Sequence, residues 1–280
     1  MASKPPGKPP GKTNAKTSAK TSGKKPAGKI TPAKKPPAKK PAGATTGKTS
    51  PNAAASPVAA KGGAPRSATV RLRTAKGRPT ASQLWLVRQL NDPYVQAAKA
   101  QGLRSRAAFK LMELDDRFKL IRKGMSVVDL GAAPGGWSQV AVQRGASRVV
   151  GVDLLAMDPV PGAEILLGDF TAEDMPDRLQ AMLDGPADLV VSDMAPNTTG
   201  HNATDHLRIM GLAEMALDFA IQVLSPGGGF VAKVFQGGSE KEMLARLKAH
   251  FTTVRHAKPP ASRKESSELY VVATGFRPEK

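Results

Sequence analysis

The 280-residue chain has no cysteine, which excludes a disulfide framework and any thiolate-held metal. Aromatics make up only 4% of it, which leaves few platforms on which unpaired bases could stack. No apolar run approaches the ~18–20 residues that cross a bilayer. Nothing near the start has the apolar core of a secretory signal. The most informative absence is that of negative charge: no Asp or Glu precedes Asp92. Of the 42 Lys and Arg residues, 20 fall within residues 1–91, and the remaining 22 stand against 23 acidic residues. The net charge of +19 therefore sits entirely in the first third of the chain.

That third is built from Lys, Pro, Ala, Gly, Ser and Thr, and Lys4, Lys8, Lys12, Lys16, Lys20 and Lys24 recur at every fourth position. Such a segment has too little apolar surface to offset the entropy of ordering it, so residues 1–80 are predicted to be a disordered basic tail. Its prolines disfavour a continuous helix, and evenly spaced positive charge suits a polyanion. The plainer alternative is a solubilising tail. A cleaved organellar leader fits less well, because such leaders are Arg-rich and amphipathic, whereas the first arginine here is Arg66.

From about Ser82 the composition becomes globular. The stretch "DPYVQAAKAQGLRSRAAFKLMELDDRF" reads as helical after Pro93 with a break near Gly102, and Ala107, Leu111, Leu114 and Phe118 form one apolar stripe. Short strand-like runs follow: "MSVVDL", "SRVVGVDL", "AEILLGDF", "ADLVVSDM", "GGFVAKVF", "TTVRHA" and "ELYVVATG". Helical patterns fall between several of them, notably "DHLRIMGLAEMALDFAIQVL" and "EKEMLARLKAHF". Alternation of this kind predicts an α/β domain whose largely parallel sheet is covered on both faces. The last two runs have no helix between them and are expected to pair antiparallel at one edge.

Four successive strand runs finish in an acid: Asp129, Asp153, Asp169 and Asp193. A single such Asp is ordinary turn chemistry, but ligands of open α/β sheets bind at the carboxyl ends of the strands. The turn "DLGAAPGGW" lacks a full dinucleotide fingerprint. Gly131 and Gly136 fit its first and sixth positions, while Ala133 occupies the third. Pro134 offers no N–H to a pyrophosphate, and ringed carboxylates repel phosphate. The pocket suits a cofactor with hydroxyls, an ammonium and no phosphate, which favours S-adenosylmethionine over NAD. Asp153 lies 22 residues after Gly131, the usual distance for an acid that takes ribose hydroxyls.

In order, "DPYVQAAKAQGLRSRAAFKL", "VVDLGAAPGGWSQV", "DLLAMDP", "SDMAPN", "VAKVFQG" and "ELYVVATG" resemble the bacterial FtsJ/RrmJ-type (RlmE) 23S ribosomal RNA 2′-O-methyltransferases. The resemblance runs from about Asp92 to Gly275 and does not extend to residues 1–80. It implies a Rossmann-like S-adenosylmethionine-dependent methyltransferase domain over residues 81–280, with a mostly parallel seven-stranded sheet. It further implies a cytoplasmic, monomeric enzyme that methylates a uridine 2′-hydroxyl in 23S rRNA, within the large ribosomal subunit, without a metal. The family's Lys-Asp-Lys-Glu tetrad falls on Lys110, Asp193, Lys233 and Glu268. Its cofactor contacts fall on Gly135, Trp137, Asp153, Asp169 and Asp193. An additional acid, Glu265, precedes Glu268, whose place before "LYVVATG" marks it as the equivalent residue.

The chemistry is coherent with those positions. A ribose hydroxyl is a poor nucleophile and needs a base or a neighbouring positive charge. Lys233 lies within an apolar run, where desolvation favours a neutral amine. Asp193 is suited to orient it, and Lys110 to steady a developing alkoxide. The plainer alternatives are a surface lysine on an edge strand for Lys233, a snorkelling lysine for Lys110 and simple edge-strand alternation for Glu268. His201 and His206 lack a third ligand at metal spacing and are expected in a loop that closes over substrate. Arg104, Arg106, Arg122 and Lys123 are expected to form a phosphate-binding rim, against the alternative of a solvated helix face. Two other functions stay open at this point: methylation of tRNA, or a nucleic-acid-binding scaffold with an inactive methyltransferase fold.

Overall fold

The computed structural model describes residues 79–196, 200–235 and 240–278. The basic tail predicted for residues 1–80 lies outside the described residues up to position 78. Among the described residues three helices come first: α1 (Thr80–Leu90), α2 (Pro93–Ala100) and α3 (Ala107–Phe118). Asp92 caps α2 by accepting the N–H of Tyr94 at 3.0 Å, and Pro93 occupies the first turn, where its missing donor costs nothing. The stripe read on α3 is its buried face, with Leu111 and Leu114 fully enclosed. Helix α1 has no counterpart in the sequence reading. It shows no clean apolar stripe, since Leu84 and Leu90 are exposed.

Strand and helix then alternate through β1 (Ser126–Leu130), α4 (Gly136–Gln143), β2 (Arg148–Asp153), β3 (Glu164–Leu167), α5 (Met175–Met182), β4 (Ala187–Ser192), α6 (Asn202–Val223), β5 (Leu224–Phe235), α7 (Glu240–His250), β6 (Phe251–Ala257) and β7 (Glu268–Phe276). The sheet has seven strands in the order β3-β2-β1-β4-β5-β7-β6. Neighbours among β1 to β5 run parallel, while β7 runs antiparallel to both β5 and β6. The antiparallel pair expected at one edge is therefore present, with β6 outermost and β7 inside it, which removes edge-strand alternation as an explanation of Glu268. The central residues of β7, Tyr270–Ala273, are all buried, as in a strand covered on both faces, whereas β6 exposes Thr252, Thr253, Arg255 and His256. Lys233 on β5 and Glu268 on β7 consequently stand on interior strands.

The strand period of two divides the core. Val128, Leu130, Val150, Val152, Val190, Phe230 and Val271 face one apolar cluster with Leu179 of α5 and Leu217 of α6. Val127, Val149, Leu189, Val191, Val231, Tyr270 and Val272 face the other, with Phe109, Leu111 and Trp137. Continuing that second parity towards the carboxyl ends of the parallel strands reaches Asp129, Asp153, Asp193 and Lys233, and on β7 it reaches Glu268. One face and one end of the sheet thus collect the polar residues of interest beneath α3 and α4.

Candidate active site

Lys233 pairs in register with Tyr270, and Phe235 with Glu268, while Ser192 pairs with Ala232, so Asp193 follows beside Lys233. Lys110 descends onto this group from the first turn of α3. The four residues expected to form a tetrad come together. Lys233 Nζ donates to the carbonyl of Asp193 at 2.7 Å and to its Oδ1 at 2.9 Å. Lys110 Nζ lies 2.8 Å from Glu268 Oε2 and 3.8 Å from Asp193 Oδ2. Both lysines are 8% exposed, so each ammonium is paired with carboxylate rather than left to water. Two cations and two anions balance inside the cluster. Glu265 is exposed and takes no part in the cluster.

The sequence reading missed Tyr270, which joins the two lysine pairs. Its hydroxyl accepts from Lys110 Nζ at 3.0 Å and donates to Asp193 Oδ1 at 2.7 Å. Burial together with the charges of Asp193 and Glu268 raises its pKa well above the ordinary phenol value, so it remains a hydrogen-bond donor. Burial alone would raise the Asp193 carboxyl. The ammonium groups of Lys233 and Lys110 outweigh it, together with the hydrogen bonds from Lys233 and Tyr270, and hold Asp193 below the usual carboxylate value. The available signal for Tyr270 was parity: a tyrosine two residues after Glu268 shares its face of the strand.

The glycine turn abuts this cluster. Gly131 (φ 80°) approaches Met194 so closely that a Cβ would lie 2.9 Å from the Met194 backbone, and Asp193 N–H donates to Leu130 at 3.1 Å. Gly135 (φ 97°) precedes α4, and a Cβ there would meet Val160 at 2.7 Å and Arg104 at 2.9 Å. Asp153 faces the turn, accepting the N–H of Ala133 at 2.8 Å through Oδ2 and that of Leu155 at 2.8 Å through Oδ1. Asp169, exposed beyond β3, accepts the N–H and hydroxyl of Thr171, both at 2.8 Å, which hold its carboxyl below the ordinary value. The Trp137 indole is buried, donates to the Ala107 carbonyl at 2.8 Å and packs 5.6 Å from the Tyr270 ring, so its side chain ties α4 to α3 and β7.

Asp129 behaves differently from the other three acids. It is 1% exposed, and its Oδ2 accepts from the Ser138 hydroxyl at 2.6 Å, which braces α4 from below. Burial pushes its pKa up to about 7, against the lowering effect of Ser138 and with help from the charges of Asp193 and Asp153. It therefore does not ring the crevice: it shares the face of Asp153 and Asp193 but lies one residue inside the end of β1, beneath the turn and against Ser138 of α4.

A cleft of about 900 Å³ opens beside the turn, lined by Ala133, Pro134, Arg104 and residues 155–158. Arg104 spends its guanidinium on main-chain oxygens, donating to Pro134 at 3.3 Å, to Asp158 at 2.6 Å and to Pro159. Those bonds turn three of its five N–H donors to the main chain, and Pro134 offers none, which disfavours a phosphate here. Apolar walls from Leu155 and Met157 beside the carboxylate of Asp153 fit a nucleoside with a free ribose diol, as S-adenosylmethionine has.

The rim of four basic residues does not form one surface. Arg104 and Arg106 lie at the carboxyl end of the sheet before α3, whereas Arg122 and Lys123 follow that helix and lie at the opposite end, before β1. Arg106 is moreover a structural pin, 3.0 Å from Asp92 and donating to the Ala261 carbonyl. His206 lies within α6 rather than in a loop, and His201 immediately precedes that helix, because the apolar spacing of Ile209, Ala213, Ala216 and Ala220 extends the helix back to Asn202. Among the described residues no group of three or more His, Asp or Glu is placed to hold a metal, and no helix is long and apolar enough to cross a membrane.

The family model for FtsJ-like methyltransferases matches residues 103–276. The ribosomal RNA large subunit methyltransferase E of Gluconobacter oxydans is 74% identical over 215 residues, covering 77% of this chain and 80% of that protein. The protein of the same description from Granulibacter bethesdensis is 69% identical over 214 residues, covering 76% of this chain and 93% of that one. A Plasmodium falciparum crystal structure, described as a candidate ribosomal RNA methyltransferase, superposes with a TM-score of 0.57 at 30% identity. That alignment spans 63% of this chain and all of the other.

Proposed function

The chain belongs to the FtsJ-like methyltransferase family, and from that premise we propose that it methylates the ribose 2′-hydroxyl of a uridine in large-subunit ribosomal RNA, in the cytoplasm. The single observation that carries the chemistry is the convergence of Lys110, Asp193, Lys233 and Glu268, linked through Tyr270, beside a glycine turn suited to a nucleoside. The rRNA substrate is carried by the relatives that bear that description at 74% and 69% identity.

Bound S-adenosylmethionine supplies an electrophilic methyl group on a sulfonium. Asp153 is assigned to its ribose diol, and Gly135, Trp137, Asp169 and Asp193 to the rest of the cofactor. Trp137 contributes through its backbone at the start of α4, because its indole is committed to packing. Lys233, which rests as the ammonium paired with Asp193, first gives a proton to solvent, and the free amine then takes the proton of the 2′-hydroxyl as the oxygen attacks. The ammonium that results is the form that the carboxylate and carbonyl of Asp193 hold at 2.9 and 2.7 Å. Lys110, fixed by Glu268 and Tyr270, keeps positive charge next to the oxygen while it loses its proton. Tyr270 and Asp193 orient both lysines. The remaining acceleration is alignment of the attacking oxygen with the methyl group.

The test is to map 2′-O-methyl positions across rRNA from strains with and without the gene. One large-subunit uridine should lose its modification when the gene is removed. An unchanged large-subunit map, or a loss confined to tRNA, refutes the substrate assignment.

A further inference from the structure

We infer that Ser262 is a positioning residue of the methyl-transfer site, fixing the carboxylate of Glu268 so that Lys110 is held at the reacting oxygen. This rests on the roles proposed above for Lys110 and Glu268. Glu268 has two carboxylate oxygens and two partners. Oε2 accepts from Lys110 at 2.8 Å, and Oε1 accepts from the Ser262 hydroxyl at 2.7 Å. Ser262 is 5% exposed, so water does not readily replace it at Oε1.

The segment carrying Ser262, between β6 and β7, is itself tied to α3. Ala261 N–H donates to Glu113 Oε2 at 2.7 Å, and the Ala261 carbonyl accepts from Arg106 just before the helix. Glu113 in turn accepts from the Tyr94 hydroxyl at 3.1 Å. Lys110 and Glu113 are three residues apart on α3 and share one face. A closed ring results: Lys110 holds Glu268, Glu268 holds Ser262, and Glu113 holds the residue preceding Ser262. The Ser262 N–H, donating to Pro259 at 2.8 Å, closes the local turn. One helix thus sets both the lysine and the frame that aims the lysine's counter-ion. Loss of the Ser262 hydroxyl frees Oε1, lets the carboxylate rotate and loosens Lys110, without touching the cofactor cleft.

The experiment is a double-mutant cycle on the full-length protein, with undermethylated large subunits as substrate. Ser262→Ala should lower kcat by about ten-fold, the scale of one hydrogen bond to a charged group, and leave S-adenosylmethionine affinity unchanged. Ser262→Cys, which preserves volume but offers only a weak donor, should fall to the same extent; it also carries the test if the alanine variant fails to fold. In a Glu268→Ala background, either substitution should cost less than about two-fold more, because the partner is already gone. Full activity of Ser262→Cys, or multiplicative losses in the double variant, overturns the assignment. If Glu268→Ala alone leaves kcat at the wild-type value, the reading of the tetrad fails and this inference falls with it, an outcome visible in the single variant.

Discussion

Asp153 and Asp129 stand on neighbouring strands, yet their carboxylates meet different surroundings. Asp153 accepts two main-chain N–H groups and faces the turn, so Asp153→Ala should weaken S-adenosylmethionine binding by roughly 1.5–3 kcal/mol, the worth of a charge-assisted hydrogen bond. Calorimetric affinity equal to wild type would remove it from the ribose. Asp129 is enclosed, with a pKa of about 7 against ~3.9 in an unfolded chain. Between those values the folded state binds more protons than the unfolded one, so its contribution makes stability fall as pH rises from about 4 to 7 and level off above. Asp129→Asn, neutral throughout, should lack that decline and gain up to about 4 kcal/mol relative to wild type by pH 8. Melting curves that run parallel across pH 4–8 for the two proteins would contradict this account of the buried carboxyl.

At the scale of elements, the glycine turn is the most demanding piece of backbone. Gly135 combines a φ of 97° with contacts that leave no room for a Cβ, so Gly135→Ala should destabilise the fold by about 1–2 kcal/mol and lower cofactor affinity as Arg104 is displaced. An unaltered melting temperature and affinity would show that the turn relaxes freely. This turn was legible in the sequence because glycine, proline and a preceding apolar strand are local signals. The seven strands were legible for the same reason, since each is a short apolar run bounded by turn residues. The position of β7 between β5 and β6 was not, because order within a sheet is set by long-range pairing. Tyr270 escaped notice likewise, with its Lys110 partner 160 residues away; Ser262 lies only six residues from Glu268, but a serine in a turn is not distinctive by type. The four basic residues around α3 looked adjacent in sequence, but a helix running along the sheet carries its two ends to opposite sides.

For the molecule as a whole, charge is divided between a basic first third and a nearly neutral remainder. Removing residues 1–78 spares Pro79, whose carbonyl accepts the Gln83 N–H at 3.1 Å in the first turn of α1. The truncated protein should keep its melting behaviour, cofactor affinity and turnover at saturating RNA, because all four tetrad positions lie downstream. It should bind RNA more weakly and with a flatter salt dependence. Each phosphate released contributes about 0.7–0.9 to the slope of log K against log salt, so about five lost contacts reduce the slope by roughly 3.5–4.5. Parallel salt titrations for full-length and truncated protein would leave only a solubilising role for the tail.

Transfer of labelled methyl groups from S-adenosylmethionine to undermethylated large subunits, followed by digestion to nucleosides, decides for wild type and Lys233→Ala whether a ribose hydroxyl is methylated with Lys233 as its base. Wild type should place label in 2′-O-methyluridine, and Lys233→Ala should be at least ~10²-fold slower at equal cofactor affinity. Label on a base, label confined to another RNA, or a Lys233→Ala rate above about a tenth of wild type would contradict it.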